Sequence, residues 1–491
     1  MSTYLIQDNA MSLMADHMRR LSGTTDSLNG AEIAEIFSRT QGNVKNNGEY
    51  NVKALSYYGS TLKSGTYDTG EVFAFPKPLN HQIYRFSKWT ANVPITDNFV
   101  VVGESPVNVS EIMEPIDKDN IVICFNITSN NTIVSPYIQY YMKGTINWGD
   151  GTIETYDTAS RISHTYVNTG VYFASFSIEN KTAPAFNSSL VYGVEDGEVT
   201  QKAIQAICVP FWCTSIYNGF QGLTNLEYVF FADGACISEN TNTNQIFYNC
   251  QSLKHIALPP SMKRLCEMMF NSNMNGYDDR YCGISSIILP YGVEIIPYGC
   301  FIGCKNLSEV LLPDTVTSID AWAFGGCSNL SNIYIPNSVA SIGSSAFKES
   351  GVTSINIPEG ITSIPYGAFA ECNKLSNISI PNSVTSIGGG YAFGFQESDV
   401  IAEHLTLILP SVTSIQEEAF RHRGNHSTRS LTLVLQSESV CTLGKHQTWN
   451  KYCQYLNIYV PDALVSSYKA AENWNNVAHC IKPLSEYTGN I

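Results

Sequence analysis

The stretch LSNIYIPNSVASIGSSAF that begins at Leu330 returns 45 residues later, from Leu375, as LSNISIPNSVTSIGGGYAF. Aligning the chain on the proline that follows each apolar triplet gives Pro290, Pro313, Pro336, Pro358 and Pro381, at spacings of 23, 23, 22 and 23 residues. A period this regular predicts a solenoid, a stack of coils in which each repeat buries its apolar face only against its neighbours. Flanking copies are stretched. Pro259 stands 31 residues before Pro290, with NSNMNGYDDRYCG between them, and Pro410 stands 29 after Pro381. Inserts of this kind become loops on one side of the stack.

Within one copy, strand alternation points Leu330, Ile333 and Ile335 inward and Tyr334 outward, and Pro336 ends the strand. The following NSVASIGSSAF adds Val339, Ile342, Ala346 and Phe347 to the same interior, with Gly343 expected to relieve the backbone at the turn. The aromatic column runs Phe270, Phe301, Phe324, Phe347, Phe369, Phe393 and Phe420 and predicts a continuous spine of rings. Three residues past that column stand Cys250, Cys304, Cys327 and Cys372, with Ser350 substituting once. The 14 Cys show no CxxC pair and no zinc-type spacing. Buried free thiols are therefore expected, with no metal and no cofactor.

With 14% charged and 44% hydrophobic residues, 28 Tyr and 22 Phe, the chain has the balance of an ordered, sheet-rich protein. A formal net charge of -15 repels phosphate backbones and anionic lipid, and no Lys/Arg run offsets it, so nucleic acid is not an expected partner. No run of 18 apolar residues predicts membrane insertion. The opening MSTYLIQDNAMSLMADHMRRL lacks the basic start and apolar core of a secretory signal.

The repeat pattern, Leu-x-x-Ile-x-Ile-Pro-x-Ser-Val-Thr-Ser-Ile-Gly-x-x-Ala-Phe-x-x-Cys-x-x-Leu, resembles the BspA-like leucine-rich repeat of bacterial surface antigens. It extends over roughly residues 200–485. The tail IYVPDALVSSYKAAENWNNVAHCIKPLSE is similar to the segment that closes such arrays, with Tyr468 and Trp474 covering the last coil. A cap is physically required, because the final coil would otherwise expose its core.

Upstream, Trp148, Gly149, Asp150, Gly151 and Thr152, followed by His164, Thr165, Tyr166, Gly170 and Tyr172, resemble the signature of polycystic kidney disease (PKD) domains, small immunoglobulin-like sandwiches. The resemblance assigns this module residues 106–182, with Asp150 and Gly151 in a tight hairpin turn. An acid/base role for Asp150 and His164 is the lesser reading beside that of a turn and a strand. Residues 48–105 order Gly65, Gly70, Pro76, Pro78, Tyr84, Phe86 and Trp89 as in the internalin-type B-repeat, a β-grasp spacer, with Lys88 where that repeat has Gly. Residues 1–44 place Leu13, Met14, His17, Met18 and Leu21 at helical spacing, and a second short helix carries Ile33, Ile36 and Phe37. Two short amphipathic helices need a partner to cover them. This opening is similar to a segment of phage tail and fibre proteins. The fold class is thus mainly β and multidomain: a helical N-terminus, a β-grasp-like unit, an immunoglobulin-like sandwich and a leucine-rich-repeat solenoid.

No nucleophile elbow, P-loop, HExxH or EF-hand loop occurs, and HRGNH at 422–426 reads as a solvated loop rather than a metal site. Function is therefore expected from architecture. A helical assembly segment using Met14, Met18 and Leu21, two spacers and a repeat surface imply a phage virion protein. That reading gives a tail-fibre or receptor-binding component recognising a host-cell glycan or protein, trimeric, joined to other virion proteins through its N-terminus. A head fibre or decoration protein and a cell-surface adhesin are alternatives; a glycan-degrading enzyme would need paired carboxylates, for which Glu294 and Glu309 are the nearest acids. The expected contact strip lies two residues before each proline. There Ile288, Leu311 and Tyr334 form an exposed apolar run continued by Asn356, with His255, Glu309 and Asn332 lining its polar side.

Overall fold

The computed structural model describes 49–55, 61–68, 72–74, 84–91, 99–101 and 107–115 as strands, and most of 119–489. Residues 1–48, 137–142, 157–161, 180–185, 188–196, 236–244, 272–280, 395–403, 422–429 and 446–454 lie outside the description. Met14, Met18, Leu21 and the HRGNH stretch fall among them. Two compact units emerge, one drawn mainly from residues before 111 and one from Glu111–Ile491.

In the first unit Glu49–Leu55 pairs antiparallel with Thr61–Asp68, and its Val52–Leu55 pairs parallel with Val107–Ser110. Val72–Ala74 and Phe99–Val101 form a separate antiparallel pair.

The second unit begins with antiparallel strands. Gly170–Ile178 lies between Ile121–Ile127 and Gly144–Asn147, and Ile153–Tyr156 turns back on the latter. Trp148, Phe176 and Tyr166 are buried between this sheet and the smaller pair Thr132–Val134 and His164–Tyr166. The sheet does not stop there. Ile121–Ile127 also pairs antiparallel with Ile204–Val209, which pairs in parallel with Tyr228–Phe231, itself paired with His255–Ala257. Seven strands therefore run from the antiparallel module into the first coils of the solenoid. One apolar core extends from Ile121 to Ile481. The open N-terminal end of the stack is closed by this module, helped by the helix Gly197–Ala203, whose buried Thr200 accepts a hydrogen bond from the Ser135 backbone N–H at 2.9 Å.

Each later coil carries two short parallel strands. One contains the outward position before the proline, as in Ser286–Ile288, Glu309–Leu311 and Ser354–Asn356. The other is a Ser-Ile pair such as Ser318–Ile319, Ser341–Ile342 and Ser363–Ile364. The inward residues expected from alternation, Leu330, Ile333, Ile335, Val339, Ile342, Ala346 and Phe347, are all buried. The aromatic spine stacks ring on ring with centroids 5.1–5.9 Å apart from Phe270 to Phe420. It also reaches two coils further upstream, through Phe247 and Phe220.

Gly343 is not a left-handed turn residue. A Cβ there would fall 2.3 Å from the Ala321 nitrogen, so glycine is needed because two backbones touch. Gly388 and Gly444 meet the preceding coil in the same way. One left-handed position is the residue two before each spine Phe, where Met268, Gly299, Trp322, Ser345, Gly367, Tyr391 and Glu418 all have φ between +50° and +66°; a second is the residue two after it, as at Gly303, Gly326, Glu349 and Glu371.

At the C-terminal end the helix Val465–Ala470 and the turn that follows bury Tyr468 and Trp474 edge to face, 5.4 Å apart. The Cys441 N–H donates to the Tyr468 hydroxyl at 2.9 Å, and Trp474 Nε1 donates to the Cys441 carbonyl at 2.7 Å. These bonds satisfy backbone groups of the last coil, as a cap must.

Candidate binding surface

Many polar side chains of the repeat are taken up by the stack. Thr315, Ser338 and Ser383 donate to the carbonyls of Val293, Val316 and Ile361 at 2.7–2.8 Å. Ser308, Thr353 and Ser376 form a second column, and Thr317, Thr385 and Thr413 a third. The thiols of Cys304, Cys327 and Cys372 form a fourth, donating at 2.9–3.1 Å to the carbonyls of Phe270, Phe301 and Phe347. In every case the donor belongs to the later coil and the acceptor to an earlier one. Ser and Thr at these positions are thus coil-to-coil ties rather than a ligand-facing surface.

The outward positions remain. Ile288 and Leu311 lie side by side in register, as do Ser286 and Glu309. Tyr334 stands between buried Ile333 and Ile335 and faces out. Ile288, Leu311 and Tyr334 are half-buried rather than exposed. Neighbouring strands sit about 4.8 Å apart, so each side chain covers the flank of the next.

Asn332 and Asn356 belong to the adjacent ladder, where Asn332 pairs with Ser354. Asn356 is a structural bridge: its Nδ2 donates to the Ile335 carbonyl at 3.0 Å and its Oδ1 accepts from the Ile335 N–H at 3.4 Å. It takes up backbone groups of Ile335, just beyond the two-residue strand Asn332–Ile333. Asn332 is exposed and its Oδ1 accepts from the hydroxyls of Thr353 and Ser354. His255 lies apart from these residues, in the seven-stranded sheet, stacked on Tyr228 at 5.5 Å. Burial, with Lys254 beside it, pushes its imidazole down to about 4, so it is neutral at physiological pH.

The outward column is closed at both ends. Cys208 and Phe230 are 3% and 2% exposed although they stand at outward positions, and so at the other end are Thr432 and Val434, at 5% and 0%. Between them, from Ile288 to the exposed Ser379, the column is open. The surface is therefore a window, apolar at its N-terminal side and polar at its C-terminal side. Sequence alternation found the column but not its closed ends.

Asp150 and His164 do meet: Nε2 lies 2.8 Å from Oδ2. The imidazole is buried and stacked on Trp148 at 4.6 Å, while Asp150 Oδ1 accepts the Thr152 N–H at 2.9 Å. Against the upward push of partial burial, the bonds from Thr152 and His164 hold the Asp150 carboxyl below its ordinary value. The pair ties the hairpin turn at Asp150 to the strand His164–Tyr166, a structural lock on the turn.

Among the described residues, no group of three or more His, Cys, Asp or Glu could hold a metal ion, and no helix is long and apolar enough to cross a membrane.

The stacked two-strand coils define a β-solenoid of leucine-rich repeats. Residues 200–278 and 279–399 match the BspA type leucine rich repeat region in six copies, and these coils are BspA-type repeats. Solved structures similar to the chain include a leucine-rich repeat protein of T. pallidum (22% identity, 38% of this chain and 73% of that one, TM-score 0.25). A leucine-rich cell surface protein from Faecalibacterium prausnitzii is 18% identical over 69% of this chain and 96% of that one, with a TM-score of 0.30. A leucine-rich repeat protein from Bacteroides ovatus is 19% identical over 70% and 99%, with a TM-score of 0.27. No curated protein matches the chain.

Proposed function

We propose that this chain is an adhesive binding protein that recognises a host-cell surface glycan or protein through the outward window of its solenoid. The observation that carries the reading is the window itself. Ile288 and Leu311 are held side by side, with Tyr334 facing out one coil further on, on a stack locked by four columns of coil-to-coil bonds, between ends where the same column is closed. A rigid surface loses little freedom on binding, which favours affinity. The chemistry on hand suits recognition and not turnover: Asp150 and His164 are spent on a turn, and no motif for nucleophilic or metal catalysis stands in the sequence.

The phage reading gives the protein its setting. The resemblance of residues 1–44 to tail and fibre proteins supports a trimeric virion component, tail fibre or receptor-binding protein, held to the particle through Met14, Met18 and Leu21. The parallel strand pair of the first unit supports a β-grasp spacer, and the buried Trp148 and Tyr166 support a PKD-like module. The BspA-type repeats favour a second reading, a cell-surface adhesin.

Full-length protein and a Leu311→Ser, Tyr334→Ser double variant are compared for binding to host cells. Loss of cell binding in a variant that melts like the parent supports the window; unchanged binding removes it. Deleting residues 1–44 and measuring incorporation into phage particles separates the settings. Incorporation at parental copy number by the truncated chain would sink the assembly role, and absence of the parent from particles, with recovery in the cell envelope, would favour the adhesin.

A further inference from the structure

Two aromatic rings on the turn side of the solenoid are closed on both faces. Trp322 lies against Gly325, where a Cβ would come 2.8 Å from the ring, and Lys348 Nζ of the next coil sits 5.2 Å from its centroid. Tyr391 lies against Gly394 in the same way, with the Arg421 guanidinium of the next coil 5.6 Å from its centroid. The arrangement repeats: an aromatic two before the spine Phe, a glycine one after it, and a cation one after the Phe of the following coil.

Tyr366 departs from it. It is 60% exposed, and among the described residues no ring or cation stacks on it. One face of its ring rests on Gly390, where a Cβ would fall 2.0–2.4 Å from Cζ, Cε2 and Cε1. That glycine ends the run Gly388-Gly389-Gly390, in a turn one residue longer than the one from Ile342 to Ala346. A side chain at position 390 would evict the ring; glycine seats it. The other face is open to solvent. Exposed Ser363 precedes it in its own coil, and exposed Ser344 holds the corresponding place in the coil before. The nearest acid in that column is the exposed Glu417, two coils on.

We propose that Tyr366 is a stacking platform for a sugar ring of a neutral oligosaccharide. A planar ring fixed from below offers an apolar face to the C–H face of a pyranose without having to be ordered on binding. The surrounding hydroxyls match sugar hydroxyls, and the carboxylate of Glu417 with the net charge of -15 disfavours anionic glycans. The proposal rests on reading the solenoid as a binding surface, but not on the outward window.

The test uses the full chain and saturation-transfer NMR with maltohexaose, cellohexaose and chitohexaose at millimolar concentration, an oligogalacturonate as the anionic probe, and a polyproline peptide as the competing class. At least one neutral hexasaccharide should bind. Tyr366→Ala should bind it roughly tenfold more weakly while melting like the parent, and Tyr366→Trp should retain it. Gly390→Ala, which keeps the tyrosine but displaces its ring, should weaken binding to a similar degree. No binding of any neutral hexasaccharide, parental binding by Tyr366→Ala, or binding of the peptide or the anionic probe alone would overturn the proposal. Because the readout is purified oligosaccharide and not cells, its failure leaves the window's cell-binding test standing, and the reverse.

Discussion

The thiol of Cys327 donates a hydrogen bond to the carbonyl oxygen of Phe301, one coil earlier, across 3.1 Å. Cysteine here ties one coil to another through a buried S–H, and Ser350 at the equivalent position in the next coil carries a hydroxyl instead. Cys327→Ser should be tolerated. Cys327→Ala should cost about 1–3 kcal/mol, because a buried carbonyl loses its partner. Urea unfolding of the two variants checks this, and equal midpoints would dismiss the bond.

Burial pushes the thiols of Cys282 and Cys441 up to about 12 from an ordinary 9.0, and those of Cys250, Cys300 and Cys327 are raised by burial as well. In the unfolded chain these groups ionise near 9.0, whereas the folded chain keeps them protonated. Their contribution is therefore fully present below that pH and is lost as pH rises above it. Each thiol can steepen the fall by about 1.4 kcal/mol per pH unit. Unfolding measured at increasing alkaline pH should show the decline, and Cys327→Ser should make it shallower. A parental slope in that variant would contradict the assignment.

Phe347 is stacked between Phe324 at 5.4 Å and Phe369 at 5.6 Å. Phe347→Ala opens a cavity in the middle of the spine and should cost about 3–5 kcal/mol. Loss of cooperativity in the melt would locate the damage in the adjoining coils, which depend on one another. A parental melting curve would mean that the spine carries no stability.

Asn356 and Asn332 separate a structural asparagine from a surface one. Asn356→Ala leaves the Ile335 N–H and carbonyl without their side-chain partner and should cost about 1–3 kcal/mol. Asn332→Ala, at an exposed position, should stay within about 0.5 kcal/mol. Thermal melts of both decide it; a larger loss at Asn332 would reverse the roles.

Glu349 has φ +59°, at a place where Gly303 and Gly326 stand in earlier coils. Its ion pair with Lys348, at 3.1 Å, is partly exposed and contributes little. Glu349→Gly should therefore be neutral or stabilise by up to about 1 kcal/mol, since a Cβ is disfavoured in the left-handed region. Clear destabilisation in a denaturant titration would show that the carboxylate matters more than the backbone.

The interior of the solenoid was legible because burial there follows a local rule. Ile333 and Ile335 flank Tyr334 in a three-residue alternation, and Phe301, Phe324, Phe347 and Phe369 each stand 11 residues after their proline, so period and face could be read without any partner. The cap was legible for the same reason: Tyr468 and Trp474 are large apolar residues that follow the last repeat and must cover something. Phe247 escaped because Ala232 stands where other coils have their proline, which also cut Phe220, ten residues after Pro210, off from the regular run.

What the sequence by itself determined about this protein is which side of each short segment faces in, a choice made between adjacent residues. Tertiary structure decided everything that depends on contacts between coils or modules. The pairing of Ile121–Ile127 with Ile204–Val209 joins segments about 80 residues apart and turns an upstream module into the solenoid's cap. Gly343 is fixed by the backbone of Asp320 and Ala321, and Gly390 by the ring of Tyr366. The polar columns follow from register, since a hydroxyl finds its carbonyl only once the preceding coil is in place. The closed ends of the outward column have the same origin: nothing in the alternation of SLTLVL distinguishes a covered Val434 from a half-open Ile408.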